Sequence, residues 1–92
     1  MKVQFYATLR QVVGAKTVEV PVPPGVTLQT LVDTVVVQYP DMRTMLLDDE
    51  GGLLGNVHVF LNGRDGHYLD KGMETVVAAT DVVDIFPAVG GG

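Results

Sequence analysis

One stretch constrains the fold more than any other. Between Pro23-Pro24-Gly25 and Pro40, the residues Leu28, Leu31, Val32, Val35, Val36 and Tyr39 recur at the spacing of a helix with a single apolar face. Proline breaks a helix interior, so the two proline sites bracket the element. Thr27 stands at the capping position, but residue 30 is Thr rather than Glu or Gln, so only half of a capping box is present. The run Val35-Val36-Val37 is poor helix by propensity because branched side chains lose freedom there. The periodicity outweighs that penalty, and packing is expected to override it.

The rest of the chain reads mainly as short strands. Lys2 to Ala7 alternates with Val3, Phe5 and Ala7 on one side and Gln4 and Tyr6 on the other, and Thr17 to Val22 alternates through Val18, Val20 and Val22. These two runs predict an antiparallel hairpin whose long loop carries Leu9, Arg10 and Val12. After the helix, Asp41 to Leu47 fits a second short helix capped by Asp41, with Met42, Met45 and Leu46 inward. Val57 to Leu61 is a strand followed by Asn62-Gly63, the strongest turn signal in the chain. A weak strand region comes next, and then Val82 to Phe86, with Val83 and Ile85 inward and Val82, Asp84 and Phe86 outward; Pro87 ends its pairing. The order predicts an α+β domain, a mixed sheet packed on one main helix, with the other sheet face partly open. Tyr6, Phe60 and Phe86 fall on that open face. Three aromatics there would mark a contact surface, scattered exposed apolar residues are the ordinary alternative, and alternation alone does not choose between them.

Composition narrows the chemistry. With 92 residues, 47% hydrophobic and 18% charged, the chain is one globular domain able to bury a modest core. It has no cysteine, which removes disulfides, thiolate metal sites and a cysteine nucleophile together. A net charge of -5 and no basic stripe argue against nucleic acid as a partner. The start Met1-Lys2-Val3-Gln4-Phe5 lacks a signal-peptide core and no run approaches the roughly 20 apolar residues of a membrane span, so the expectation is a cytoplasmic protein with no membrane partner. The acids Asp48-Asp49-Glu50 lack the alternate ligand spacing of a calcium loop and read as a solvated turn. His58 and His67 have no nucleophile to activate and no metal-ligand spacing in sequence, so they read as surface or strand histidines, and no metal is expected.

The chain closes with Val89-Gly90-Gly91-Gly92. A glycine run that joins nothing else is not a linker. It reads instead as a narrow, flexible strip presenting a carboxylate, the kind of backbone that can pass close to another molecule. The expected division is therefore a body at 1–87 and a flexible glycine tail at 88–92.

Together these segments resemble the ubiquitin-like sulfur carriers of the MoaD and ThiS type, in particular the molybdopterin synthase small subunit. The resemblance rests on Val3-Gln4-Phe5-Tyr6-Ala7-Thr8-Leu9-Arg10, on Val59-Phe60-Leu61-Asn62-Gly63-Arg64, and above all on Asp81-Val82-Val83-Asp84-Ile85-Phe86-Pro87-Ala88-Val89-Gly90-Gly91-Gly92. The last is similar to a family ending that runs through Phe-Pro-Pro-Val to Gly-Gly. Ala88 replaces its second proline, and Thr80 stands where a glycine is usual. The resemblance implies a ubiquitin-like β-grasp fold and a non-catalytic carrier. It implies that Gly92 is adenylated by a ubiquitin-activating-type enzyme, which uses ATP and magnesium while the carrier itself binds no cofactor. A sulfurtransferase partner then supplies the sulfur that makes Gly92 a thiocarboxylate. Gly90 and Gly91 would thread the tail, and Phe86, Phe60, Tyr6 and Pro87 would dock the partner. Molybdopterin synthesis through a large catalytic subunit is the leading acceptor on this resemblance. Thiamine, cysteine or transfer RNA thiolation, and modification of protein lysines, are the alternatives.

Overall fold

The structure, a computed structural model, describes residues 1–87. The expected tail, 88–92, lies outside the described residues. Five strands form one mixed sheet in the order β2-β1-β5-β3-β4, where β1 is Lys2–Phe5, β2 Thr17–Glu19, β3 His58–Leu61, β4 Arg64–Asp65 and β5 Val83–Phe86. The first and last strands lie side by side in parallel, Val3 opposite Val83 and Phe5 opposite Ile85, and every other pairing is antiparallel. The strand that precedes Pro87 is therefore the central one.

The bracketed helix is present as α2, Leu28–Gln38. Thr27 caps it, its hydroxyl oxygen accepting from the Thr30 N–H at 3.1 Å, and the chain leaves the helix at Tyr39 before Pro40. Leu28, Leu31, Val32, Val35 and Val36 are buried against the inner sheet face, where Val3, Phe5, Val59, Leu61, Val83 and Ile85 meet them. Val37 points to solvent at 80% exposure, so the valine run is split by the helix period. Packing of Val35 and Val36 outweighs their propensity.

Three expectations change. The loop of the first hairpin is a helix, α1, Thr8–Val13, which buries Leu9; Ala7 turns the chain into it with φ 53, so the first strand stops at Phe5 and Ala7 is exposed. The second strand is shorter than expected, Thr17–Glu19, although Val20 beyond it is still fully buried. The expected second short helix is a 3-10 turn, Pro40–Met42, followed by α3, Arg43–Leu46. Asp41 does not cap it, and Met42 and Leu46 are buried while Met45 is only partly so.

The turn after β3 has the predicted form. Asn62 and Gly63 both carry positive φ, 53 and 81, as the tight two-residue hairpin requires. Asn62 does more than turn the chain: its Oδ1 accepts from Val82 N–H at 2.9 Å, and its amide donates to Asp81 Oδ1 at 3.0 Å. The hairpin is thus fastened to the start of β5. Thr80, at the family's glycine position, sits in a turn with no left-handed backbone, so a branched residue fits there.

Candidate functional site

The outer sheet face is built by the same alternation that fills the core. Residues that flank the inward Phe5, Val59, Val83 and Ile85 must point the other way, and the register then sets them side by side: Gln4 opposite Asp84, His58 opposite Phe86, Phe60 opposite Asp84. The three aromatics meet there. Tyr6 stacks on Phe86 at 4.1 Å between centroids and 11° between planes, and Phe60 meets Phe86 edge-on at 5.3 Å. None is fully buried.

Polar groups hold this cluster in place. The Tyr6 hydroxyl donates its one hydrogen to Asp84 Oδ1 at 3.0 Å, with Gln4 Oε1 a competing acceptor at 3.2 Å. Desolvation raises the Tyr6 pKa, as do the hydrogen bond to Asp84 and that residue's charge, with Arg10 opposing. The phenol therefore stays protonated as a donor through the physiological range. Arg10 and Lys16 lie over the Tyr6 ring at 5.7 Å and 5.8 Å, bringing two cations to the rim of an aromatic face on an acidic chain.

An open groove of about 300 Å³ runs along this face, lined by His58, Phe60, Asp65, Phe86 and Pro87. The four docking residues expected from sequence are thus brought together, Tyr6, Phe60 and Phe86 as one cluster with Pro87 lining the groove beside Phe60 and Phe86. Gly90, Gly91 and Gly92 lie outside the described residues.

Two groove residues escaped the reading of the sequence, His58 and Asp65. His58 lies in a strand and His67 is exposed, as expected of strand and surface histidines, and the two are also neighbours. Their rings stand edge-on at 5.4 Å, and Asp65 Oδ2 lies 2.7 Å from His58 Nδ1. A signal for this was present. Counting outward from a two-residue turn at 62–63 pairs Leu61 with Arg64 and Phe60 with Asp65, and puts 58 opposite 67. Burial alone would raise the Asp65 pKa. The His67 N–H, the His58 ring and the charges of both histidines nevertheless hold it below the usual carboxylate value. By contrast, Asp48-Asp49-Glu50 is the solvated loop expected, closed by Asp48 Oδ1 accepting from Glu50 N–H and Gly52 N–H, both at 2.9 Å.

Among the described residues, no helix is long and apolar enough to cross a membrane. Comparison with known proteins adds a lineage to this geometry. A model of the ThiS family matches residues 3–92. Small archaeal modifier protein 3 of Haloferax volcanii is 34% identical over 92 residues, covering 100% of this chain and 98% of that protein. The crystal structure of SAMP1 from Haloferax volcanii superposes with a TM-score of 0.84 at 29% identity, covering 100% of this chain and 98% of that one. A chain in the crystal structure of the Amycolatopsis orientalis BexX/CysO complex superposes with a TM-score of 0.78 at 29% identity, covering 99% and 98%. The α+β sheet-on-helix architecture of those structures is the β-grasp fold expected here.

Proposed function

The chain belongs to the ThiS family, and on that premise we propose that it is a carrier whose reactive group is the carboxyl of Gly92. A carboxylate spreads its charge over two oxygens and resists nucleophiles, so activation must come first. A Gly92 oxygen attacks the α-phosphorus of magnesium-bound ATP on a ubiquitin-activating-type partner, pyrophosphate leaves, and an acyl adenylate forms. Two outcomes are open to that adenylate. A persulfide delivered by a sulfurtransferase displaces AMP, and a thiol opens the resulting acyl disulfide to leave a thiocarboxylate. Alternatively a lysine amine displaces AMP and an isopeptide bond joins Gly92 to a target protein.

Both outcomes need a carbonyl free of crowding side chains, which Gly91 and Gly92 provide. Fixing an extended segment in a partner's active site costs on the order of 1–2 kcal/mol per residue. The observation that carries the proposal bears on that cost. Pro87 lines the apolar groove directly after the central strand, in the segment that leads into the glycines, so a partner holding Tyr6, Phe60 and Phe86 is placed to receive the glycine segment. On this reading the domain supplies binding and presentation, and the partners supply ATP, magnesium and catalysis.

The names of the relatives favour widening the acceptor. A relative named small archaeal modifier protein 3 favours keeping the modifier route beside the sulfur route, and the BexX/CysO complex favours a domain of this shape acting while bound to another protein. Molybdopterin synthesis with a large catalytic subunit is a narrower reading within the same chemistry, and thiamine, cysteine and transfer RNA thiolation are its equals. Intact mass spectrometry of the protein from its native cells separates the sulfur route from the modifier route. A single oxygen-to-sulfur exchange at Gly92 marks the sulfur route, and conjugates on lysines mark the modifier route. A chain with neither under any growth condition would overturn the carrier reading altogether.

A further inference from the structure

Three metal-ligating side chains converge at the open end of the β3–β4 hairpin. His58, Asp65 and His67 each bring a donor atom within 4.8 Å of the other two. Asp65 divides its oxygens between two tasks. Its Oδ1 accepts from the His67 N–H at 2.9 Å, which caps the 3-10 turn Gly66–Tyr68 and sets the position of residue 67; its Oδ2 faces His58 Nδ1 at 2.7 Å. His67 Nε2 lies 3.1 Å from the Val57 carbonyl oxygen. A carbonyl can only accept, so Nε2 carries a hydrogen in this contact and Nδ1 is the nitrogen left to ligate. Liganding histidines are commonly oriented by such a hydrogen bond from the other ring nitrogen. Gly66 makes the approach possible, since a Cβ there would stand 3.1 Å from the Val59 carbonyl oxygen.

We propose that this cluster binds a divalent transition-metal ion of the zinc class, through one ring nitrogen of each histidine and Asp65 Oδ2, with the remaining position open. Two imidazoles and a carboxylate suit Zn²⁺, Co²⁺ or Ni²⁺; calcium and magnesium take oxygen ligands. Bonds of about 2.0–2.2 Å set the ligand atoms of a tetrahedral ion roughly 3.3 Å apart. The His58–Asp65 contact therefore opens slightly and the widest separation closes. Side-chain rotation supplies both movements, because His58 is 44% exposed and His67 is exposed. The ion takes the place of the hydrogen shared by His58 and Asp65, and that proton leaves to solvent. His58 and Asp65 also line the aromatic groove, so a bound ion would tie β3, β4 and the 3-10 turn into one rigid groove wall.

The test is titration of the full chain with Co²⁺, followed by visible absorption, and with Zn²⁺, followed by calorimetry. The expected result is one equivalent bound, with the absorption of a four-coordinate Co²⁺ ion. His58→Asn and His67→Asn each weaken binding at least tenfold, the double variant abolishes it, and Asp49→Asn with Glu50→Gln leaves it unchanged. Circular dichroism checks that each variant folds; His67 is exposed, so His67→Asn keeps the test decisive even if His58→Asn does not fold. No binding, equal binding by the double variant, or loss of binding in the Asp49→Asn and Glu50→Gln protein would overturn the proposal.

Discussion

Phe86 joins the sheet to the glycine-bearing end of the chain: it belongs to the central strand, stacks on Tyr6, meets Phe60 edge-on and precedes Pro87. Each such aromatic pair contributes about 0.5–1.5 kcal/mol, whereas truncating an aromatic at the centre of an interface costs about 2 kcal/mol or more. Phe86→Ala is therefore expected to weaken binding of the activating partner by about thirtyfold or more while lowering stability by about 1 kcal/mol, the low end for two ring pairs because Phe86 is only partly buried. Calorimetry and urea unfolding measure the two, and a larger loss of stability than of binding would make Phe86 a core residue. Ala7 is the opposite case, a residue under backbone strain with φ 53 and no side-chain role at the helix start. Ala7→Gly should raise unfolding stability by about 0.5–1 kcal/mol, strain relief exceeding the added freedom of the unfolded chain; a fall in the urea midpoint would contradict this. The aromatics were legible in the sequence because alternation assigns a face to each residue. His58, Asp65 and His67 were missed because they meet only through the hairpin register, which the Asn62-Gly63 turn fixes but periodicity does not report.

Among the elements, the β3–β4 hairpin carries the most consequence. Its Asn62 fastens the turn to the entrance of β5, and Asp81 completes the clamp by accepting from Ala78 N–H at 2.7 Å and from the Asn62 amide at 3.0 Å. These bonds hold the Asp81 carboxyl below the usual carboxylate pKa, the Ala78 N–H first, with burial opposing. A folded-state pKa below the unfolded one gives stability that is present above the unfolded value, near about 3.9, and is lost as pH falls through the depressed folded value. Asp81→Asn should therefore be less stable than wild type at neutral pH, with the gap narrowing as pH drops below about 4. Urea unfolding at several pH values checks it, and a gap that widens in acid would contradict the assignment. The main helix was legible because two proline sites, Pro23-Pro24 and Pro40, and six periodic apolar residues agree. The first helix was not: it has six residues and a single buried one, Leu9, and its start is set by the unusual backbone of Ala7 rather than by a capping side chain.

Across the whole molecule, a short sheet and one helix enclose a core with no buried charged or polar side chain among the described residues. The outer sheet face carries the aromatic cluster. Strand identity and facing were legible from alternation, since a period of two leaves little choice once the helix is placed. Strand order was not, because the parallel union of β1 and β5, which centres the last strand, depends on contacts far apart in sequence. That union puts the aromatic groove and the approach to the glycines on one strand, and the carrier account rests on it. The direct test is removal of Gly92. Wild type and truncated protein are incubated with the activating enzyme, ATP, magnesium and a sulfur donor, and the products are weighed intact. The account predicts that the truncated chain keeps the circular dichroism and urea midpoint of wild type and gains neither thiocarboxylate nor lysine conjugate. Equal modification of the truncated chain would contradict it.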